Sequence, residues 1–192
     1  MGHPNHRIFL KSFVPVSPGR ILEVGSKQYG STEDFRSFYG GDYVGLDLEA
    51  GEGVDVVHDL TKGLGPLEPH SFDFIICCSV LEHVRKPWLM AEYLTDLLRP
   101  GGVLYLAVPW VWRKHNYPDD YFRFSWRGVE SLFDRLTWER FHYSTNKTGD
   151  FCVAAENKDN ERRIHQGAVK YLPYLEIHGL GRLNEPRGLD RP

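Results

Sequence analysis

The stretch FDFIICCSV, residues 72–80, is an almost unbroken apolar run in the middle of the chain. A strand with one wet face alternates apolar and polar residues, whereas a strand of a parallel sheet is covered on both faces and reads as a continuous apolar segment. The run therefore predicts a central strand of a parallel sheet.

Further elements alternate on either side of this run. Strands are predicted at residues 20–24, 43–48, 54–60 and 103–110, and helices at residues 32–39 and 87–98. Repeated strand–helix–strand units predict a doubly wound, mostly parallel, Rossmann-like sheet with right-handed crossovers. Because such sheets bind ligands at the carboxyl ends of their strands, the loops that follow the strands are the places to search for a site.

The later part of the chain has a different pattern. A helix is predicted at residues 128–135 and an antiparallel strand pair at residues 138–143 and 151–155. From residue 157 onward, charges, glycine and proline mix without sustained periodicity. We therefore expect an α/β fold with an antiparallel C-terminal strand pair, one domain over residues 1–156, and a C-terminal extension at residues 157–192 that is partly irregular or caps the site.

Composition excludes several classes of protein. The chain has 192 residues, of which 41% are hydrophobic and 26% charged, as in one globular domain with a full core. A net charge of −3 gives no general attraction to nucleic acid or to anionic membranes. No apolar run approaches the roughly 20 residues needed to span a bilayer. The cysteines, Cys77, Cys78 and Cys152, form no Cys-x-x-Cys pair and indicate buried thiols. We expect a cytoplasmic protein, monomer or homodimer, with no membrane partner.

The loop after the first predicted strand, GSKQYGS at residues 25–31, has the position of a nucleotide-binding loop. Gly25 permits close approach, so the backbone amides of this loop are expected to face a ligand. Asp47 ends the next strand, where a carboxylate can accept hydrogen bonds from ribose hydroxyls. Asp59 ends the third strand and could meet the amino group of an adenine.

Five segments, ILEVGS, YVGLDL, VDVVHDL, FDFIICCSVLEHV and LLRPGGVLYLAVP, follow one another between residues 20 and 109. Together they resemble the class I S-adenosylmethionine-dependent methyltransferases, and FDFIICCSVLEHV followed by LLRPGG is the most specific part. The resemblance is to the branch that modifies quinones, sugars and natural products. It implies a Rossmann-like methyltransferase sheet and S-adenosylmethionine as the cofactor.

The resemblance also implies which residues surround the cofactor, from the methionine loop through the ribose and adenine sites to the end of the fourth strand. These residues are Glu23, Gly25, Ser26, Lys27, Asp47, Leu48, Asp59, Leu60, Cys78, Ser79 and His83. His83 could equally be structural or face the acceptor.

The glycine loop departs from the family pattern of an acid followed by Gly-x-Gly-x-Gly. Gly25 alone stands in register, and Lys27 and Tyr29 stand where small residues are expected. They either replace backbone contacts with side-chain contacts or mark a site that binds its cofactor poorly, and we favour the former. A nicotinamide dehydrogenase is disfavoured, because Lys27 would crowd the approach to a pyrophosphate.

After the fifth strand comes PWVWRKHNYPDDYFRFSWRG, residues 109–128. Its pattern from His115 to Ser125 resembles a subgroup of bacterial methyltransferases linked to polysaccharide or secondary-metabolite assembly. Removal of a proton helps an alcohol to accept a methyl group, and His115 is the predicted base. Asp119 or Asp120 could orient its other nitrogen or act directly.

The same segment supplies candidate acceptor-binding residues, namely Trp110, Tyr117, Tyr121 and Arg123. The alternative is a packing corner in which Arg123 pairs with Asp120 and the rings are buried.

The same segment contains potential ligands for a metal ion. Asp119 and Asp120 with His115 could bind a divalent cation, but adjacent acids point apart on regular backbone, so no metal is expected. His3 and His6 are expected to be exposed and idle.

The sequence thus predicts S-adenosylmethionine-dependent methyl transfer to a small-molecule acceptor, namely a hydroxyl of a sugar, a polysaccharide precursor or a natural product. One alternative is a nucleic-acid methyltransferase, supported by the basic and aromatic residues of segment 110–127 but opposed by the acidic net charge. The other is a non-catalytic S-adenosylmethionine-binding module, supported by the irregular glycine loop.

Overall fold

The computed structural model describes residues 4–14, 18–30, 33–115, 119–153 and 174–184. Four helices are present in these ranges: α1 (Pro4–Phe13), α2 (Phe35–Tyr39), α3 (Pro87–Leu97) and α4 (Trp126–Leu132). The strands are β1 (Ile21–Val24), β2 (Tyr43–Asp47), β3 (Val56–Val57), β4 (Phe72–Cys78), β5 (Leu98–Val111), β6 (Leu136–Ser144), β7 (Phe151–Val153) and β8 (Leu175–Leu183). They form one sheet in the order β3-β2-β1-β4-β5-β8-β6-β7.

The first five strands are parallel, as predicted. β4, which carries the apolar run of residues 72–78, lies between β1 and β5 in the middle of the sheet. β3 is reduced to two residues, Val56–Val57, although the sequence predicts a strand over residues 54–60. The carboxyl ends of these strands meet at one edge, which is where the candidate site lies.

Alternate residues of the central strands serve two separate cores, which is what a sheet covered on both faces requires. Ile75 and Cys77 of β4 belong to the core under α3 and α4. Their neighbours Phe74 and Ile76 belong to the core under α1 and α2. This arrangement confirms the doubly wound architecture and explains why the run in β4 has no polar alternation.

The predicted antiparallel strand pair is confirmed as β6 and β7. β8 was not predicted, and it lies between β5 and β6, antiparallel to both. The extension at residues 157–192 was expected to be partly irregular or to cap the site, and within it residues 175–183 form this strand. The sequence LEIHGLGRL contains a glutamate, a histidine and two glycines, which hide its strand character. Every residue of β8 except Arg182 is nevertheless buried, and Trp138 packs so closely that a Cβ at Gly179 would lie 2.7 Å from its ring.

Helix α1 was also missed, and with it the role of His6. The expectation that His6 is exposed and idle is wrong, because its side chain is buried and its Nε2 lies 2.9 Å from a carboxylate oxygen of Glu176 in β8. Tyr174 donates a hydrogen bond to the same oxygen at 3.1 Å. This contact joins the amino-terminal helix to the C-terminal strand. His3 lies outside the described residues.

Candidate active site

The loop after β1 is tied to the end of β2 by its own backbone. The amides of Gly25 and Ser26 donate to the carbonyl of Leu46 at 2.8 and 3.1 Å. The amide of Lys27 donates to a carboxylate oxygen of Asp47 at 3.1 Å, and that of Gln28 to the carbonyl of Glu52 at 3.0 Å. The expectation that these amides face a ligand is therefore wrong for residues 25–28, because β2 and the loop after it already accept their hydrogen bonds.

Lys27 and Tyr29 stand at the irregular positions of this loop. The ammonium group of Lys27 pairs with Glu49 at 2.7 Å and lies 5.3 Å from the centre of the Tyr29 ring. Its methylene groups cross Gly51, where a Cβ would lie only 2.9 Å from Cε. Lys27 therefore fastens the loop after β1 to the loop after β2. Tyr29 is about half exposed.

Gly25 and the end of β4 meet at close range. Gly25 has a φ of +79°, and a Cβ there would lie 2.5 Å from Cγ2 of Val80. Ser79 also has a positive φ, +53°, which is unusual for a residue with a side chain. Backbone strain of this kind is concentrated at binding and catalytic sites. Gly25, the glycine of this loop that stands in register with the family pattern, is thus explained by its close approach to Val80.

Asp47 is the last residue of β2, and Leu48 follows it at the binding edge of the sheet. The carboxylate of Asp47 accepts from the amides of Lys27 and Glu49, the latter at 3.2 Å, so each oxygen keeps a further lone pair. Leu48 leaves 58% of its surface exposed although it is a large apolar residue. The pair therefore offers a hydrogen-bond acceptor beside an uncovered apolar surface.

Asp59 caps a single 3-10 turn, Leu60–Lys62. It accepts from the amide and the hydroxyl of Thr61 at 3.0 and 2.7 Å, and Lys62 lies 3.2 Å from its second oxygen. Burial opposes ionisation of Asp59, but the hydrogen bonds from Thr61 and Lys62 outweigh it and lower the pKa. Leu60 is fully buried in the core.

Glu23 and Cys78 lie deeper in the same edge of the sheet. Burial raises the pKa of Glu23 to about 7, against the hydrogen bond that Tyr43 donates to it at 2.8 Å. Burial likewise raises the pKa of the Cys78 thiol well above its ordinary value. Cys77 and Cys78 are free thiols, as expected, whereas the side chain of Cys152 lies outside the described residues.

The segment after β5 is fastened to the turn after β4. The amides of Tyr121 and Phe122 donate to the carbonyl of Glu82 at 2.8 and 3.2 Å. Nδ1 of His83 lies 2.5 Å from the carbonyl oxygen of Asp119, and the rings of His83 and His115 meet edge to face at 4.8 Å. The predicted acceptor segment therefore lies beside the end of β4. Glu82 and His83 belong to a 3-10 turn, Leu81–His83.

Asp120 and Arg123 form the ion pair that the packing alternative predicts. The guanidinium binds both carboxylate oxygens, at 2.5 and 2.7 Å. The hydrogen bond from Arg123 holds the pKa of Asp120 well below its usual range, so Asp120 is a poor direct base. Asp120 also accepts from the amide of His115 at 2.8 Å and lies 3.5 Å from Nδ1 of that ring, which suits an orienting role.

The remaining acceptor candidates differ in how they are placed. Trp110 is half-buried and packs on Tyr143 with ring centres 5.0 Å apart. Tyr121 is 45% exposed, and its hydroxyl donates to the carboxylate of Asp119 at 2.9 Å. Tyr117 lies outside the described residues. Arg123 is paired with Asp120 and Trp110 packs against the core, so these two members of the basic and aromatic run make contacts within the fold.

Comparisons with known proteins agree on one family. A model of the methyltransferase domain family matches residues 22–106, which is the sheet from β1 to β5 with the loops that carry the cofactor candidates. Residues 22–106 are therefore similar to the methyltransferase domain family, and we refer to this matched region as the methyltransferase domain.

Curated relatives of this methyltransferase domain include ubiquinone biosynthesis O-methyltransferases. One from Ralstonia nicotianae is 28% identical over 113 residues, covering 52% of this chain and 47% of that protein. Another, from Xanthomonas euvesicatoria pv. vesicatoria, is 38% identical over 61 residues, covering 32% and 26%. The chain thus spans about half the length, or less, of the curated relatives it matches.

Solved structures share the fold of the methyltransferase domain at low identity. A SAM dependent methyltransferase from Archaeoglobus fulgidus superposes with a TM-score of 0.62 at 13% identity, covering 92% of each chain. Burkholderia thailandensis 1,6-didemethyltoxoflavin-N1-methyltransferase, solved with S-adenosylhomocysteine, gives a TM-score of 0.63 at 14% identity, covering 95% of this chain and 77% of that one.

Two features of the methyltransferase domain were missed by the sequence analysis. Glu82 was not among the site residues, although burial raises its pKa to about 8 and it lies next to His83. The left-handed backbone at Ser79 has no sequence signal, because serine does not favour it. The segment SVLEHV, which contains both residues, belongs to the most specific part of the family resemblance.

Within the described residues, the longest helix, α3, has 11 residues, too few to cross a bilayer.

Proposed function

We propose that the chain is an S-adenosylmethionine-dependent O-methyltransferase that acts on a hydroxylated small molecule. The observation that carries this proposal is the convergence of two groups of residues at one edge of the methyltransferase domain. The loop after β1 and Asp47 lie at the ends of β1 and β2, and the histidine-containing segment after β5 lies against the turn after β4.

For the cofactor, Asp47 would accept hydrogen bonds from the ribose hydroxyls with its remaining lone pairs. The exposed side chain of Leu48 would cover one face of the adenine, where burial of apolar surface favours binding. Asp59 is largely satisfied by Thr61, so its part would be to order the turn beside the adenine. Gly25, Ser79 and the thiol of Cys78 would form the floor under the methionine part.

Lys27 is proposed to act on the loop and not on the cofactor. Its ion pair with Glu49 and its packing on Gly51 replace the tight glycine turn by a cross-link between two loops. This assignment supports the enzyme over the non-catalytic module, because an irregular loop that is held firmly in place is compatible with a formed site.

For the reaction, methyl transfer from a sulfonium is an in-line displacement, and the enzyme has to align the acceptor and remove its proton. His115 is the proposed base. Its ring lies on the acceptor side, partly exposed, with the carboxylate of Asp120 at 3.5 Å to orient it. Tyr121 would form one wall of the acceptor site.

For the acceptor, we propose a hydroxyl group, because the curated relatives are named as O-methyltransferases of ubiquinone biosynthesis. Sugars, polysaccharide precursors and hydroxylated natural products remain within this class. The test is formation of S-adenosylhomocysteine by the purified chain with a panel of phenols and a panel of sugars.

Turnover with at least one hydroxylated compound, unaffected by moderate salt, would support the proposal. The variant His115→Ala is expected to reduce that turnover by about 100-fold or more while S-adenosylhomocysteine still binds. Turnover on nucleic acid alone would contradict the small-molecule acceptor, and near-normal turnover by His115→Ala would remove the proposed base.

A further inference from the structure

Three potential metal ligands meet beside the end of β4. Glu82 and His83 come from the turn after β4, and His115 comes from the segment after β5. One ligand atom from each lies within 4.8 Å of the other two. Because residues far apart in the sequence supply these groups, the cluster is produced by the fold and not by a local motif.

The hydrogen bond of His83 fixes where its lone pair points. A carbonyl oxygen can only accept, so Nδ1 of His83 carries the hydrogen in its contact with Asp119 at 2.5 Å. In a neutral ring, Nε2 then has a free lone pair. That Nε2 lies 3.7 Å from Oε1 of Glu82, which is also an acceptor. Two acceptors that face each other require a proton or a cation between them.

Glu82 provides a second, independent observation. The residue is 1% exposed, and no group among the described residues donates a hydrogen bond to its other oxygen, Oε2. A buried carboxylate oxygen without a donor is costly, so a missing partner is expected there. Arg123 does not supply it, because its guanidinium is bound to both oxygens of Asp120.

We propose that Glu82, His83 and His115 bind a divalent transition-metal ion of the zinc type. Two imidazoles and one carboxylate are a ligand set that such ions take, and the set leaves a coordination position open. Metal-bound histidines usually donate their other N–H to a carbonyl or a carboxylate. His83 has the carbonyl of Asp119 in that position, and His115 has Asp120 at 3.5 Å.

This proposal differs from the metal site considered from the sequence, which used Asp119 and Asp120 as ligands. In the structure Asp119 accepts from the hydroxyl of Tyr121, and Asp120 is paired with Arg123. Both acids therefore belong to the surroundings of the proposed ligands.

A second His–Glu–His cluster, made of His6, Glu176 and His178, is better explained as a structural network. His6 pairs with Glu176, and the two nitrogens of His178 lie 2.9 Å from the Tyr105 hydroxyl and 2.8 Å from the Ser144 hydroxyl. All three residues are buried, so an ion would have to replace existing hydrogen bonds.

The location of the proposed ion has a consequence that rests on the proposed function. A hydroxyl group bound beside the segment after β5 could fill the open coordination position of such an ion. A metal ion lowers the pKa of a hydroxyl that it binds, so in the metal-bound protein the ion would replace His115, whose lone pair is then used as a ligand, as the means of ionising the acceptor.

Calorimetric titration of the metal-stripped full chain with Zn²⁺ tests the site without any assay of activity. We expect one equivalent to bind, with affinity lowered about tenfold or more in His115→Ala and in Glu82→Gln. The matched control is His70→Ala, which removes an exposed histidine outside the cluster and should bind as the wild type does. His115 is partly exposed, so its variant remains informative even if Glu82→Gln fails to fold.

Failure to bind Zn²⁺ would overturn the proposal, as would equal affinity in wild type and His115→Ala. Loss of the site in His6→Gln, with His115→Ala unchanged, would place the ion in the other cluster and also overturn it. Titration with S-adenosylhomocysteine in the same samples separates this result from the proposed function. Cofactor binding without zinc binding would refute the proposed metal site and leave the proposed function unaffected.

Discussion

Asp47 and Asp120 show how neighbours decide what a carboxylate can do at this site. Asp47 accepts one backbone amide on each oxygen and keeps acceptor capacity toward solvent. Asp120 has both oxygens bound by Arg123 and a further bond from the amide of His115. We therefore propose that Asp47 binds the cofactor and that Asp120 positions His115.

The role of Asp47 is tested by Asp47→Asn, which keeps the size of the side chain and removes its charge. Affinity for S-adenosylhomocysteine is expected to fall about tenfold or more, corresponding to ~1.5 kcal/mol for hydrogen bonds to a charged acceptor. The measurement is a calorimetric titration of both proteins. Asp42→Asn changes an aspartate just before the opposite end of β2 and should leave the affinity unchanged. Equal affinities in all three proteins would contradict the assignment.

The position of Asp47 was predictable from the sequence, whereas the pairing of Asp120 was one of two alternatives. Asp47 follows directly from chain order, because it ends a strand that must reach the binding edge of a parallel sheet. The partner of Asp120 depends on how residues 119–123 are held, and the amides of Tyr121 and Phe122 donate to the carbonyl of Glu82, which is remote in the sequence. No local pattern contains that information.

At the scale of elements, Gly25 joins the loop after β1 to the turn after β4. Gly25→Ala is expected to destabilise the domain by about 1–3 kcal/mol, because it places a side chain at positive φ and brings Cβ against Val80. Thermal or denaturant unfolding measures the loss. Gly30→Ala is the matched control, since Gly30 has a φ of +73° but no atom near its would-be Cβ.

The control should lose only the backbone part, and adding Val80→Ala to Gly25→Ala should recover part of the difference. Equal losses of unfolding free energy in Gly25→Ala and Gly30→Ala would show that a clash with Val80 does not contribute to the destabilisation.

Glu23 in β1 makes stability depend on pH. Burial raises its pKa from 4.5 to about 7, partly opposed by Tyr43 and Arg36 and reinforced by Asp34 and Asp47. The folded state therefore holds this proton more tightly than the unfolded state. Stability from this group is fully present below about pH 4.5 and is lost as the pH rises toward 7.

Glu23→Gln should remove this dependence. Its melting temperature relative to the wild type is expected to rise between about pH 5 and about pH 8, with Glu68→Gln at an exposed position as the control. A constant difference across this range, or one that falls, would contradict the assignment.

Element types were predictable where periodicity was strong and failed where tertiary contacts replaced it. β4 and α3 have long apolar patterns and lie where the sequence predicts them. α1 buries two polar residues, Asn5 and His6, beside apolar ones, which weakens its amphipathic pattern. β3 keeps only two residues at the edge of the sheet, where pairing on one side gives little support. Such cases depend on partners that are remote in the sequence.

At the scale of the whole molecule, β8 closes the sheet between β5 and β6. A chain that ends after residue 173 would leave both strands with unpaired edges and His6 without Glu176. We expect it to lose cooperative thermal unfolding, whereas a chain that ends after residue 184 should keep it. A cooperative transition in the shorter chain would mean that β8 is dispensable.

The overall architecture could be predicted because each central strand of a doubly wound sheet is covered on both faces and therefore has a continuous apolar sequence. The insertion of β8 could not, because a strand that buries Glu176 and His178 reads as polar. Its burial is possible only since His6, Tyr105 and Ser144 supply partners from three other elements. The family match, which covers residues 22–106, ends before this strand.

The central claim is that this edge of the sheet is an S-adenosylmethionine site in spite of its irregular glycine loop. Calorimetric titration of the purified chain with S-adenosylmethionine and with S-adenosylhomocysteine tests it most directly. We predict saturable binding of one equivalent of each, weakened in Asp47→Asn. The absence of detectable binding of either compound to the folded chain would contradict the account.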